Sequence, residues 1–143
     1  MTRRSRAKAV DRLHAGRYRR LAQSFATSAQ ALSDVASDDE GYGNAIGLLV
    51  VHTCVAYADV LAISYGERKS TAGDHQMAVV LLRDILRDQL TDAAEKSLGL
   101  VIRSKDELSY QGRYYSLTEA RHLLSHASSF AAWAESMYDR RPT

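Results

Sequence analysis

The most apolar part of the chain, residues 44–65, lacks the one-sided hydrophobic pattern of a surface helix. From Ala45 to Ala58 it contains no Asp, Glu, Lys or Arg, and its apolar residues fall on every side of a helical wheel. Such a helix needs neighbours all around it to keep its side chains from water. The pattern therefore predicts a central, buried helix over residues 44–65 of a small helical bundle.

A membrane-spanning helix is the alternative for this stretch, because about 20 apolar residues suffice to cross a bilayer. Polar residues within it, among them His52 and Asp59, argue against a membrane, as do amphipathic helices elsewhere in the chain. His52 and Asp59 are seven residues apart and so lie on the same side of the helix. In a bundle we expect both to be buried, with polar partners on neighbouring helices.

One-sided patterns predict the remaining helices. Apolar side chains at three- and four-residue steps predict a long first helix over residues 5–35. That stripe consists of Val10, Leu13, the stem of Arg17, Leu21, Phe25, Ala29, Leu32 and Val35. Two further helices are predicted over residues 74–89 and 92–109.

The last helix is predicted over residues 116–138, because Ser116 and Glu119 have the spacing of a capping box. The chain has a single proline, Pro142, at its very end, and is rich in Ala and Leu. Together these patterns predict an all-α protein, an antiparallel bundle of four to five helices that forms one domain over residues 1–143.

Charge is distributed unevenly along the chain. The formal net charge is +2, from 19 Lys and Arg against 17 Asp and Glu, but eight of the 19 basic residues lie in the first twenty positions beside a single acid, Asp11. A basic end on an acidic body suggests a phosphate-rich partner, or docking against the acidic part of a second copy. A solvated helix face without a partner is the alternative.

Several kinds of site lack their sequence signatures. The single cysteine, Cys54, lies within the apolar stretch, which predicts a buried core residue and no disulfide within the monomer. The chain has no phosphate-binding glycine loop, paired-cysteine zinc motif or nucleophile elbow. His122 and His126 are four residues apart, but two imidazoles do not make a metal site. We therefore expect no metal and no cofactor, and the lack of a signal-peptide pattern predicts a cytoplasmic protein.

The predicted connection before the last helix carries the most candidate chemistry. It combines cations, acids and three tyrosines between residues 103 and 115. Arginines beside tyrosines can hold a nucleotide base next to a phosphate, so we take as candidate RNA- or nucleotide-binding residues Arg103, Lys105, Asp106, Tyr110 and Arg113. The alternative is structural, with tyrosine hydroxyls fixing the end of a helix.

From about residue 46 onward, the chain resembles the HEPN domains, which are compact α-helical bundles of prokaryotic toxin–antitoxin, defence and RNA-processing systems. The resemblance is carried by the segments VVHTCVAYADVLAISYG, KSTAGDHQMAVVLL, KDELSYQGRYYSLTEA and SSFAAWAES. It implies a homodimer whose motif regions face each other. It also implies RNA or a nucleotide as ligand, or a cognate nucleotidyltransferase or antitoxin as protein partner.

Ribonucleases of the HEPN family carry an arginine, a polar residue and then a histidine just before the last helix. This chain has Lys105, Asp106 and Tyr110 at those places. A tyrosine with its usual pKa near 10 is a poor base at neutral pH, so the resemblance implies a non-catalytic or degenerate module.

A metal-independent ribonuclease that uses Arg121 and His126 is the alternative. These two residues have the family's spacing, but they lie inside the last helix, about 140° apart around its axis. A scaffold that binds only protein is a third interpretation.

Overall fold

The computed structural model describes residues 7–37, 41–71, 75–109 and 112–143. It is mostly helical, which confirms the all-α expectation, with one small two-stranded sheet. The elements are β1 (Ala7–Ala9), a 3-10 turn (Arg12–His14), α1 (Ala15–Val35), α2 (Tyr42–Gly66), β2 (Arg68–Ser70), α3 (Gln76–Leu86), a 3-10 turn (Arg87–Gln89), α4 (Asp92–Arg103), α5 (Lys105–Ser109) and α6 (Leu117–Asp139).

Helix α2 runs through the centre of the fold. Its buried residues lie on all sides, and α1, α3, α4, α5 and α6 pack around it. Cys54 is among them and is completely buried. By length and composition α2 is also the one described helix that could cross a membrane, and 78% of its most apolar window is buried inside the fold. The core helix of a bundle has the same properties, and the prediction of a central helix is confirmed.

Contacts between helix ends fix the directions of the three longest helices. Near its start, α6 meets the end of α1, where Arg121 donates to the Ser33 carbonyl at 2.7 Å. Near its end, α6 meets the start of α1, where Arg19 binds Glu135. Tyr65, at the end of α2, donates to the carbonyl of Met137 near the end of α6 at 2.7 Å. Helices α2 and α6 therefore run in the same direction, and α1 is antiparallel to both. The prediction of an antiparallel bundle was thus wrong for the packed pair of α2 and α6.

The first helix begins at Ala15, so the prediction of a helix from residue 5 was wrong for its first part. Residues Ala7–Ala9 instead form β1, which pairs antiparallel with β2. The predicted stripe was also partly wrong, because Leu13 and Val35 are 85% and 79% exposed. The fully buried positions of α1 carry small side chains, namely Ala15, Ala22, Ala29 and Ser33, which let α1 approach α2 closely.

The other helices follow their predicted positions with local differences. Helix α6 starts at the capping box, in which the Ser116 hydroxyl accepts from the Glu119 amide at 3.1 Å and the Glu119 carboxylate accepts from the Ser116 amide at 3.1 Å. The helix predicted over 92–109 is broken at Ser104, whose hydroxyl donates to the Leu100 carbonyl at 3.1 Å. Helix α3 starts at Gln76; the predicted start, Asp74, lies outside the described residues.

Candidate functional site

Arg113, a candidate ligand-binding residue between α5 and α6, is already bound to acidic side chains. Its guanidinium donates to the Glu119 carboxylate and lies 3.5 Å from the Glu107 carboxylate. The same guanidinium stacks on the ring of Tyr115, 4.6 Å from the ring centroid. Arg113 therefore ties α5 to the start of α6, and a ligand phosphate would have to compete with two carboxylates for it.

The connection itself is fixed to the start of α2. Asn44 accepts from the Tyr115 amide at 2.9 Å and donates to the Arg113 carbonyl at 2.8 Å. The Tyr115 hydroxyl donates to Glu107 at 2.7 Å, and burial raises the pKa of this tyrosine. These hydrogen bonds are what the structural interpretation of the connection expects, with a tyrosine hydroxyl that holds a helix end.

The remaining candidates at this connection do not form a basic surface. Arg103 is exposed at the end of α4, Lys105 is partly buried at the start of α5, and Asp106 is exposed beside it. Tyr110 lies outside the described residues. The three cations of this region, Arg103, Lys105 and Arg113, are balanced by Asp106, Glu107 and Glu119. The structure thus gives this region no local excess of positive charge.

Arg121 and His126 face different neighbours in the bundle. The Arg121 guanidinium donates to the Ser33 hydroxyl at 3.1 Å and to the Ser33 carbonyl. The second hydrogen bond provides a donor for a carbonyl in the last turn of α1, where carbonyl groups lack partners within the helix. His126 Nδ1 lies 3.3 Å from the Ser97 hydroxyl on α4, and its ring lies edge-on to that of His122, 4.7 Å between centroids. The two side chains of the ribonuclease alternative therefore contact different helices, α1 for Arg121 and α4 for His126, each with a structural partner.

The expected buried pair of His52 and Asp59 does not form, because His52 is exposed. The prediction that His52 is buried was wrong: its ring lies beside that of Phe25 on α1, 5.4 Å between centroids, and faces outward. Asp59, two turns further along α2, is 7% exposed, with Lys69 of β2 beside it. Asp59 is thus buried beside a cation, Lys69, on the strand that follows the helix, whereas His52 is exposed.

Asp59 opens onto a cavity of about 310 Å³ between the sheet, α2 and α3. The residues that line it are Lys8, Val55, Asp59, Lys69, Ser70, Thr71, His75 and Ala78. Lys69 Nζ lies 3.5 Å from Asp59 Oδ2 and is the one polar partner that the described residues give this carboxylate. Burial raises the pKa of Asp59 to about 6, although the Lys69 ammonium lowers it in part. The sequence singled out Asp59, but the pairing of β1 with β2 that brings the lysines to it is long-range.

Basic residues from three parts of the chain meet at one end of the bundle, which we call the basic end. It is formed by the start of α1 with β1, the end of α2 with β2, and the end of α6. Nine basic side chains lie there, namely Lys8, Arg12, Arg17, Arg19, Arg20, Arg68, Lys69, Arg140 and Arg141. The same end has five acidic side chains, namely Asp11, Asp59, Glu67, Glu135 and Asp139.

Only some of these cations are neutralised. Arg12 pairs with Glu67 at 3.5 Å and Arg19 with Glu135 at 2.7 Å. The hydrogen bonds between Arg19 and Glu135 stabilise both charged groups: they raise the pKa of Arg19 and lower the pKa of Glu135. Six exposed cations make no ion pair with any described residue, namely Lys8, Arg17, Arg20, Arg68, Arg140 and Arg141. The basic end therefore carries a net positive charge that is available to a partner.

No family model, curated protein or solved structure matches the chain. What the protein binds must therefore be inferred from its own side chains. Two places stand out among the described residues: the basic end and the cavity at Asp59. Within the same residues, no group of three or more His, Cys, Asp or Glu side chains is placed to hold a metal ion.

Proposed function

We propose that the chain is a non-catalytic, HEPN-like helical-bundle module that binds single-stranded RNA at its basic end. The observation that carries this proposal is the set of exposed cations without ion pairs at that end, which comprises Lys8, Arg17, Arg20, Arg68, Arg140 and Arg141. Three more arginines, Arg3, Arg4 and Arg6, precede β1 in the sequence. Phosphate groups are the partners that such a surface attracts most strongly.

Stacked arginines add a second element to this surface. The Tyr138 ring has the Arg19 guanidinium 4.9 Å and the Arg141 guanidinium 3.9 Å from its centroid. Exposed guanidinium planes can stack with unpaired bases, which single-stranded RNA offers and a duplex does not. Because such stacking does not read base edges, we expect weak dependence on sequence.

The absence of catalysis is supported by the places of the candidate residues. Arg121 holds the end of α1 and His126 faces α4, so the two cannot act on one phosphodiester without leaving their partners. Lys105 and Tyr110 stand where HEPN ribonucleases carry arginine and histidine. The homodimer, the cognate nucleotidyltransferase or antitoxin partner and the cytoplasmic location that the sequence suggested stay predictions.

RNA affinity of the full chain, measured by fluorescence anisotropy with a short labelled RNA of mixed sequence, tests the proposal. The double variant Arg17→Ala, Arg20→Ala should weaken binding. The slope of the logarithm of the affinity against the logarithm of the salt concentration should also become less steep, by about 0.7 for each phosphate that the variant no longer neutralises. The double variant Arg87→Ala, Lys96→Ala removes the same charge from another face and should bind like the wild type. Equal binding by both variants, or affinity that salt does not change, would overturn the proposal.

Two further arms separate the alternatives. Loss of affinity in Lys105→Ala, Arg113→Ala instead would place the RNA at the connection before α6. Incubation of unlabelled RNA with the protein in chelator should leave the RNA intact. If the wild type cleaves the RNA and His126→Ala does not, while the thermal midpoint of the variant is unchanged, the protein is a ribonuclease and not a non-catalytic module.

A further inference from the structure

Among the described residues, two lysines and one carboxylate line the cavity at Asp59. In the two-stranded sheet Lys8 and Lys69 are directly opposite partners, so their side chains share one face, and both line the cavity. Like charges in this arrangement repel each other. Lys69 already neutralises Asp59, at 3.5 Å, which leaves the ammonium of Lys8 as a surplus cation. An anion between the two lysines would relieve the repulsion.

The other polar groups of the cavity complete a site for an oxyanion. Ser70 and Thr71, which follow Lys69 in the chain, also line the cavity, and Thr71 offers a hydroxyl there. His75, just before α3, lines it as well. Ammonium and hydroxyl groups together are donors that suit the several acceptor oxygens of a phosphate. The Lys69 ammonium also lies 5.5 Å from the centroid of the Tyr18 ring, which helps to hold its side chain in place.

Asp59 offers the opposite chemistry at the same cavity. Its carboxylate is an acceptor, mostly buried, and has a single polar partner among the described residues. A carboxylate in that position can accept hydrogen bonds from hydroxyl or amino groups of a ligand. A purely structural ion pair would need neither the second lysine nor the space of about 310 Å³ beside it, which falls in the range of small-molecule sites.

We propose that this cavity binds a small phosphate monoester whose other end carries hydroxyl or amino donors, such as a sugar phosphate or a nucleoside monophosphate. The phosphate lies between Lys8 and Lys69 and accepts from both ammonium groups. The donor groups of the ligand reach Asp59. Although burial raises the pKa of this carboxylate to about 6, the group is still ionised at neutral pH and can accept from the ligand. This binding does not require that the basic end holds RNA.

Isothermal titration of the full chain near neutral pH tests the proposal, with ribose 5-phosphate, adenosine monophosphate, adenosine and inorganic phosphate as probes. The two phosphate esters should bind, and adenosine should not. Lys8→Met should weaken their binding about tenfold or more, the effect of removing one charge-assisted hydrogen bond, whereas the matched control Lys96→Met on α4 should not change it. Asp59→Asn should weaken the esters relative to inorganic phosphate, because the ester loses an acceptor for its hydroxyl or amino groups, whereas Lys69, released from its ion pair, is available to either phosphate.

Three results would overturn this inference. The first is no heat with either ester at millimolar concentration. The second is equal affinity of Lys8→Met and Lys96→Met for the esters. The third is an affinity for inorganic phosphate as high as that for ribose 5-phosphate. Thermal midpoints of each variant show that the fold is intact. Because the RNA test uses Arg17 and Arg20, which do not line the cavity, either proposal can fail while the other holds.

Discussion

Asp59 is a buried carboxylate and Glu135 a partly buried one, and their surroundings move their pKa values in opposite directions. Glu135 accepts from Arg19, from Gln23 at 3.2 Å and from Tyr57 at 2.7 Å, and the hydrogen bond with Arg19 does most to lower its pKa. Asp59 has one ion-pair partner, at 3.5 Å, and burial outweighs it. The number of donors around each carboxylate thus decides the sign of its shift.

The first prediction concerns Asp59 and pH. Its pKa is about 6 in the folded chain against 3.8 for a free side chain, so between these values the folded state retains a proton that the unfolded state has released. Its contribution to stability is therefore full at low pH and is lost as pH rises through about 6. Relative to Asp59→Asn, which mimics the protonated form, the wild type should lose on the order of 2 kcal/mol between about pH 4 and pH 7.

Urea unfolding of the two proteins over that pH range gives the comparison directly. Carboxylates with lowered pKa values, such as Glu135, contribute equally to both proteins and cancel in the difference. Parallel stability curves for the wild type and Asp59→Asn would contradict the prediction, because they would mean that Asp59 has no raised pKa.

The second prediction concerns the hydroxyl of Tyr57, which donates to the charged Glu135 from a buried position. Tyr57→Phe should lower the free energy of unfolding by about 1–2 kcal/mol, since a hydrogen bond to a charged acceptor is removed. Tyr65→Phe is the matched control, because its hydroxyl donates to a neutral carbonyl at the same distance, 2.7 Å. Urea denaturation should show the larger loss for Tyr57→Phe, and the reverse order would be inconsistent with an ionised Glu135.

At the scale of elements, local patterns predicted the helices whose boundaries are set locally. The uncharged stretch predicted α2, and the capping box at Ser116 predicted the start of α6. The first helix was misplaced because Ala7–Ala9 form a strand only through pairing with Arg68–Ser70, some sixty positions away. Its buried stripe was misjudged because alanines, not the larger Leu13 and Val35, allow α1 to lie close against α2.

The candidate sites were predictable to a similar, limited degree. The sequence showed a basic first segment and an acid inside an apolar helix, and both lie at places where the structure concentrates charge. It did not show that Lys8 and Lys69 share the cavity of Asp59, or that Arg113 is held by two glutamates, since these depend on which elements meet in space. Burial of His52 was misjudged for the same reason.

The third prediction concerns the crossing of α2 with the start of α6. A side chain at Gly43 would overlap the carbonyl of Tyr115, and its Cβ would lie 2.9 Å from the carbonyl oxygen of Ser116. Gly43→Ala should therefore destabilise the fold by about 1–3 kcal/mol, because backbone must move apart.

Gly16→Ala in α1 is the control for that variant. Its added Cβ would find its nearest neighbours at 3.9 Å, an ordinary van der Waals distance. We expect it to be neutral or to stabilise by up to about 1 kcal/mol, since alanine favours a helix over glycine. Thermal unfolding monitored by circular dichroism measures both, and a Gly43→Ala variant as stable as the wild type would contradict the close approach.

For the whole molecule, the direction of the helices decides where charge collects. Because α2 and α6 end where α1 begins, the basic residues of all three segments meet at one end, while the connection before α6 at the other end is electrically balanced. The body of the chain is acidic, so the protein has a marked charge asymmetry despite its net charge of +2. Such a molecule should approach an anionic partner with its basic end first, more slowly as salt increases.

The complete burial of Cys54 at the middle of α2 makes this residue a reporter of the opening of the entire bundle. It is the one thiol of the chain, and burial raises its pKa, so a thiol reagent should find no reactive thiolate until the surrounding helices separate. The rate of its modification, followed by mass spectrometry in increasing urea, should rise with the slope of global unfolding. A rate that urea does not change would mean that α2 becomes accessible by a local fluctuation. The completely buried thiol of Cys54 therefore measures how often the folded molecule opens.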